Sequence, residues 1–279
     1  MQAPRNRDVH SVVTPQTSVE PHRKPPSPWL LALEGTAFLE WSALALTWPF
    51  LASAPQGDGH PVMVLPGLMA GDASTWPLRV FLDRIGFVGL GWDQGLNRGP
   101  VNGTVKKLAD RIRGIEREHG RKLSLVGWSL GGAMAHALAQ RMPNRVRSVI
   151  TMGSPLDGHP HASNAWRLFE AVSGMRVTDR SLRGLMGKAP KVPTTNLLSK
   201  SDGIVHWRAS MLPKCAQSES IEVNATHLGF GANPLVLWMI AERLSQPEGQ
   251  WRAFQRHGAL RSFLFRDPRR VRIDDLYAR

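Results

Sequence analysis

The sequence predicts an α/β protein, a mostly parallel sheet flanked by helices with a small helical cap. Three observations carry this reading. Between residues 61 and 152, short apolar runs alternate with helical spacings, as in parallel strands joined by helical crossovers. The apolar run ending at Trp128 breaks into Gly127-Trp128-Ser129-Leu130-Gly131 and continues as an alanine-rich helix. The alternation then lapses from Asp157 to Lys191 before strands resume, the mark of an insertion. Such an insertion lies over the C-terminal ends of the strands, where ligands bind in open α/β sheets.

Taken in order, residues 1–28 mix Pro, Ser, Thr, Arg and His without periodicity and read as a disordered leader. They hold no apolar run of the kind a conventional signal peptide needs. Residues 29–54 form the most hydrophobic segment and read as one helix. It matches the roughly 20 residues of a membrane span, but Glu34, Gly35, Glu40 and Pro49 interrupt it. Carboxylates are costly in lipid, so a helix packed on the domain or lying at a membrane surface is expected.

Residues 55–250 read as the main domain. Pro61–Gly67 is a buried strand bounded by turn residues. Ser74 or Thr75 is expected to cap a helix whose apolar face is Leu78, Phe81, Leu82 and Ile85, ended by Gly86. Phe87–Trp92 reads as a glycine-rich strand. Val105, Leu108, Ile112 and Ile115 give helical spacing closed by Gly120. Leu123–Trp128 is the next strand, Leu130–Arg141 its helix, stopped by Pro143, and Val146–Met152 another strand. Residues 157–192 are the cap, with short helices at Ala165–Phe169 and Leu182–Met186. Pro193–Leu198 and Ser220–Val223 supply the last strands, and Asn233-Pro234 starts a helix through Leu244. Pro247-Glu248-Gly249 closes the domain, and residues 251–279 read as a basic tail.

Composition bounds the functional classes. A chain of 279 residues with 42% hydrophobic content can build a substantial core. The single cysteine, Cys215, excludes an internal disulfide and points to a reducing, cytoplasmic compartment. The net charge of +13 invites a nucleic-acid reading. Much of it lies in the two terminal segments, and no aromatic-interleaved basic motif accompanies it. Nucleic acid is therefore not an expected partner, and the basic tail reads as solvated or weakly drawn to anions; peripheral membrane contact stays open through residues 29–54.

The chemistry centres on Ser129. A strand-turn-helix crossing forces the central serine into a strained turn with its hydroxyl exposed. Glycines two positions either side are needed because a Cβ would collide with the neighbouring strand or helix. A serine hydroxyl needs a base, and the base an orienting carboxylate. In this architecture they follow strand ends in the order Ser, Asp/Glu, His. Asp202 lies in the turn after the strand ending at Leu198, and His227 in the loop after Val223. Asp157 and Asp93 are rival acids, and His206, His159 and His161 rival bases. The developing oxyanion needs two backbone N–H donors. Leu130, opening the nucleophile helix, and Leu68, after Pro66-Gly67, are the expected pair.

Over residues 60–245 the chain resembles the α/β-hydrolase superfamily, specifically its bacterial lipase/esterase-like members. The resemblance rests on Val64-Leu65-Pro66-Gly67-Leu68, Gly127-Trp128-Ser129-Leu130-Gly131-Gly132, Ser201-Asp202-Gly203 and Thr226-His227-Leu228-Gly229. It implies Ser129 as nucleophile, Asp202 as acid, His227 as base, and Leu68 and Leu130 as oxyanion donors. Pro66 departs from the histidine many lipases carry before the glycine, while Gly67 is retained.

The expected activity is hydrolysis of a carboxylic ester through an acyl-enzyme, with no metal or organic cofactor. The apolar cap and the neighbourhood of Met63 and Met69 favour an acyl or lipid-like substrate. An acyltransferase or thioesterase would use the same three residues, and a non-catalytic binding protein of this fold, membrane-associated or not, is the alternative of another class.

Overall fold

The structure is a computed structural model and describes residues 24–159, 161–183, 190–213 and 215–270. Most of the leader (residues 1–23), residues 184–186 of the second expected cap helix and the last nine residues lie outside them.

The elements run α1 (Pro28–Leu33), α2 (Ala37–Leu46), α3 (Trp48–Ala52), β1 (Pro61–Leu65), α4 (Asp72–Arg84), β2 (Val88–Leu90), α5 (Thr104–His119) and β3 (Leu123–Trp128). They continue with α6 (Leu130–Arg141), β4 (Val146–Met152), α7 (Trp166–Ser173), α8 (Arg180–Arg183), β5 (Thr194–Leu198), β6 (Ser218–Glu222), α9 (Pro234–Leu244) and α10 (Ala259–Leu264). Among the described residues six strands form one sheet in the order β2-β1-β3-β4-β5-β6, and every neighbouring pair is parallel.

Side chains alternate across each strand, and the core divides accordingly. Val62, Val64 and Val126 face a cluster with Leu78 and Phe81 of α4 and Val236 and Ile240 of α9. Met63, Leu65 and Leu125 face the opposite cluster, with Leu108 and Ile112 of α5 and Met134 of α6. Each such leucine or isoleucine, fully buried, contributes about 1.5–3 kcal/mol. Both faces of the sheet are covered, which is why its strands read as unbroken apolar runs. The chain passes from β1 outward to β2, then returns across β1 to β3 and onward. The order therefore reverses between β1 and β3, and a crevice opens beyond their C-terminal ends.

Several elements depart from expectation. α4 begins at Asp72, before Ser74 and Thr75. The Asp72 carboxylate accepts the N–H groups of Trp92 and Asp93 at 2.9 and 3.0 Å, so tertiary bonds fix the helix start. Ser74 and Thr75 instead bond back to the carbonyls of Gly71 and Asp72. Only Val88–Leu90 of the expected second strand pairs.

The hydrophobic segment 29–54 is three helices and a single 3-10 turn at Glu34–Thr36, not one helix. Leu51 and Ala54 are buried in the core, and Leu44 and Trp48 pack against it. Among the described residues no helix is long and apolar enough to cross a membrane.

Residues 251–270 of the expected basic tail pack on the domain. Phe254 and Phe265 are buried in the core with α9. Arg266 and Glu222 exchange backbone hydrogen bonds of 2.9 Å across an antiparallel bridge on the outer edge of β6. That pairing covers part of a sheet edge that would otherwise present open hydrogen-bonding groups.

Candidate active site

Ser129 joins β3 to α6 with φ 54° and ψ −122°, a conformation few residues other than glycine adopt. Its N–H donates to the Met152 carbonyl at 2.8 Å, and its carbonyl accepts from Gly132 at 3.0 Å. The turn is possible only because its neighbours lack side chains. A Cβ on Gly127 would strike Gly132 and Gly131, and one on Gly131 would strike the Leu65 and Pro66 carbonyl oxygens. The expected collision partners, helix and neighbouring strand, are the ones found.

Asp202 and His227 are brought together from the ends of β5 and β6. Asp202 Oδ2 lies 2.7 Å from His227 Nδ1, and each residue is 3% exposed. The other carboxylate oxygen accepts the N–H groups of Ile204 and Val205, both at 2.8 Å. With the carboxylate accepting at Nδ1, that nitrogen carries the proton and Nε2 keeps its lone pair. Trp128, one residue before Ser129, donates its indole N–H to the His227 carbonyl at 3.0 Å. The serine turn and the histidine loop are thereby tied directly. Gly153, after β4, leaves room for the pair: a Cβ there would lie 2.8 Å from Asp202 Oδ2 and 3.0 Å from His227 Nδ1.

Leu68 follows β1 in a loop pinned by Asn97. The Asn97 amide donates to the Pro66 carbonyl at 2.8 Å, and its backbone carbonyl accepts from Met69 at 2.7 Å. Among the described residues the N–H groups of Leu68 and Leu130 have no protein acceptor. Leu68, Ser129 and Leu130 line one mainly apolar pocket, walled by Trp166 and Phe169 of α7 and Leu182 of α8. His227 is not among the residues of its wall. Met63, expected near the substrate, is instead wholly buried in the core, and Met69 does not line the pocket either.

A family model described as alpha/beta hydrolase fold matches residues 98–183. Among solved structures, Aspergillus fumigatus lipase B superposes with a TM-score of 0.53 at 20% identity. The match covers 72% of this chain and 56% of that one, so the chain spans little more than half of that lipase. The mature form of Bacillus licheniformis lipase BlEst2 superposes with a TM-score of 0.50 at 18% identity, covering 70% of this chain and 95% of that one. A search of curated proteins finds no match.

The chain has the α/β-hydrolase fold.

In this α/β-hydrolase fold the rival residues make contacts of their own, and His159 lines the pocket that holds Ser129. Asp93 pairs with Arg111 at 2.6 Å on the surface. Asp157 accepts the His159 N–H at 2.8 Å, and burial raises its carboxyl to about 6 against that bond. His161 packs edge-on against Trp166, and His206 stacks on Trp207. Among the described residues no His, Cys, Asp and Glu cluster could hold a metal ion.

The sequence reading missed a second Asp–His–Ser array at the opposite end of the sheet. Asp58 bonds His60 at 2.6 Å, and His60 bonds Ser124 at 3.0 Å. Both His60 and Ser124 are 0% exposed. Burial pushes the His60 imidazole down to about 4, against the pull of Asp58. Partial burial of Asp58 would raise its carboxyl, but Arg147 and His60 hold it below the usual carboxylate range. The array has the connectivity of a nucleophile relay without access for a substrate.

Glu34 and Glu40, which interrupt the apolar N-terminal segment, also bond to the histidine loop. No local signal marks these bonds, because the partners lie more than 160 residues away.

Proposed function

We propose that the chain is a serine hydrolase that cleaves carboxylic esters through an acyl-enzyme. The observation that carries this is the buried Asp202–His227 hydrogen bond tied to the strained Ser129 turn. In the proposed reaction His227 Nε2 accepts the Ser129 proton as Oγ attacks the ester carbonyl. The N–H groups of Leu68 and Leu130 stabilise the oxyanion, helped by the positive end of the α6 dipole. Collapse of the tetrahedral intermediate breaks the ester C–O bond, and the imidazolium returns the proton to the leaving alcohol. Water, deprotonated by His227, then attacks the acyl-Ser129 carbonyl; the acyl–Oγ bond breaks, the imidazolium returns the proton to Ser129 Oγ, and the acid is released. Asp202 fixes the tautomer and stabilises the imidazolium.

The apolar pocket wall of Trp166, Phe169 and Leu182 supports an acyl group as the bound part of the substrate. Likeness to two lipases is consistent with this. Turnover of p-nitrophenyl esters of increasing chain length, with product analysis in competing alcohols, tests the reading. Free acid as the main product supports a hydrolase, and predominant transfer to the alcohol would make the chain an acyltransferase. Thioester cleavage outpacing that of the matched ester would make it a thioesterase.

A second reading concerns where the substrate is met. The rings of Phe50, Trp238 and Phe265 stack in series at 6.5 and 5.7 Å between centroids, joining the N-terminal and C-terminal segments. Arg84, Arg261 and Arg266 lie over Trp48, Trp238 and Phe263, and Leu260 and Phe263 beside them are exposed. Aromatic rings interleaved with arginines suit an anionic lipid surface. Co-sedimentation with phosphatidylglycerol vesicles but not phosphatidylcholine vesicles, weakened in Arg261→Glu, is the expected result. Equal recovery with neither vesicle would remove this reading.

A further inference from the structure

Glu34 and Glu40 are the only charged residues between Pro28 and Ala54. Such carboxylates in an apolar segment are expected to find cations, and among the described residues neither has an ion-pair partner. Glu34 is 5% exposed. Its Oε1 accepts the N–H groups of Gly203 at 2.7 Å and His227 at 2.9 Å, and its Oε2 that of Leu228 at 2.8 Å. Gly203 directly follows Asp202. One carboxylate therefore bridges the loop carrying the acid and the loop carrying the base, with the backbone of His227 itself among its donors.

Glu40 repeats the arrangement one step further out. Its Oε1 accepts from the Thr226 N–H at 2.8 Å and the Thr226 hydroxyl at 2.6 Å. Its Oε2 accepts from the Asn233 side chain at 2.5 Å, and Asn233 caps α9. Trp41 adds a bond from its indole N–H to the Leu228 carbonyl at 3.2 Å. The fit leaves no slack: a Cβ on Gly203 would strike the Leu30 carbonyl, and one on Gly229 would strike the Glu40 carboxylate.

We propose that Glu34 is a positioning residue for the Asp202–His227 pair, with Glu40 holding the same loop against α9. The N-terminal segment is thus part of the catalytic scaffold, although it lies outside the sheet and its crossovers. Hydrogen bonds from backbone N–H groups to a carboxylate are stronger than neutral ones. Their donors are left buried and unsatisfied when the acceptor is removed. A displacement of about 1 Å in a catalytic group costs on the order of 100-fold in rate. The inference rests on the serine-hydrolase reading above.

The test measures p-nitrophenyl butyrate turnover per active site titrated with a fluorophosphonate, together with the downfield proton resonance of His227 Nδ1–H. The full chain and its Glu34→Gln, Glu34→Ala and Glu40→Gln variants are compared. The expected result is a kcat lowered roughly 10-fold in Glu34→Gln and 100-fold in Glu34→Ala, with KM little changed and the resonance shifted or lost. A purely structural anchor would lower melting temperature and the titrated fraction, leaving kcat per site and the resonance as in the wild type; that result overturns the proposal. If the Glu34 variants do not fold, Glu40→Gln decides by the same two readouts. A wild-type chain that no fluorophosphonate labels would fail the serine-hydrolase reading itself, an outcome distinct from any in the variants.

Discussion

Asp202 Oδ2 and His227 Nδ1 lie 2.7 Å apart, whereas Asp157, the rival acid after β4, spends its carboxylate on the His159 N–H. The buried pair comes from loops 25 residues apart in the chain, Asp202 held by two backbone N–H groups and His227 by Glu34 and Trp128. Of the two acids that spacing alone leaves open, Asp202 is the one hydrogen-bonded to His227.

Asp202→Asn is therefore expected to lower kcat by about 10⁴-fold, because the amide can impose the wrong imidazole tautomer. Asp157→Asn should leave turnover close to wild type. Steady-state kinetics on a short-chain ester checks both, and a reversed order of effect would move the acid to Asp157.

The glycines around Ser129 give opposite expectations from those elsewhere. Gly131→Ala forces a Cβ onto the Leu65 and Pro66 carbonyls, and should cost about 2 kcal/mol and most of the activity. Gly114, inside α5, has nothing within 4 Å of its would-be Cβ. Gly114→Ala should stabilise the chain by roughly 0.5–1 kcal/mol. Urea denaturation of the two variants measures the contrast.

Buried His60 and half-buried Asp157 should titrate against each other between pH 4 and 6. His60, lowered from 6.5 to about 4, binds its proton more readily when unfolded. Its contribution to stability is thus lost as pH falls through that range. Asp157, raised from 3.8 to about 6, binds its proton more readily when folded, so its contribution is lost as pH rises. Each can change stability by up to about 1.4 kcal/mol per pH unit. Asp157→Asn should therefore steepen the loss of stability on acidification, and His60→Gln should flatten it. Unfolding free energies from pH 4 to 6.5 in both variants, each against wild type, carry the test.

Phe169 of α7 lines the same pocket as Ser129 and is 7% exposed. Phe169→Ala should open the pocket and shift the preferred acyl chain to longer esters, changing relative kcat/KM by about 10-fold or more. A chain-length profile unchanged by this substitution would place the acyl group elsewhere.

Much of this architecture was legible because it is written locally. β4 and α9 occur at the residues expected of them, since apolar runs and an Asn-Pro start are short-range signals. The placements of Ser129, Asp202 and His227 at strand ends were legible for the same reason. What was not legible depends on distant partners. Glu34 and Glu40 look like defects in an apolar helix until the loops at 203 and 226–228 are seen to need acceptors. Phe265 and Arg266 look like part of a charged tail until β6 supplies an edge to pair with. The start of α4 is moved by Asp72 bonding to residues 20 and 21 positions later. The Asp58–His60–Ser124 array shows the converse, that a relay's connectivity alone does not make a site.

The central claim is that Ser129 is an acyl-accepting nucleophile driven by His227. Fluorophosphonate treatment of the full chain, followed by intact and peptide mass spectrometry, tests it most directly. The account predicts a single adduct on Ser129, absent in Ser129→Ala and strongly slowed in His227→Ala. No adduct, or one that persists when Ser129 is replaced, would contradict it.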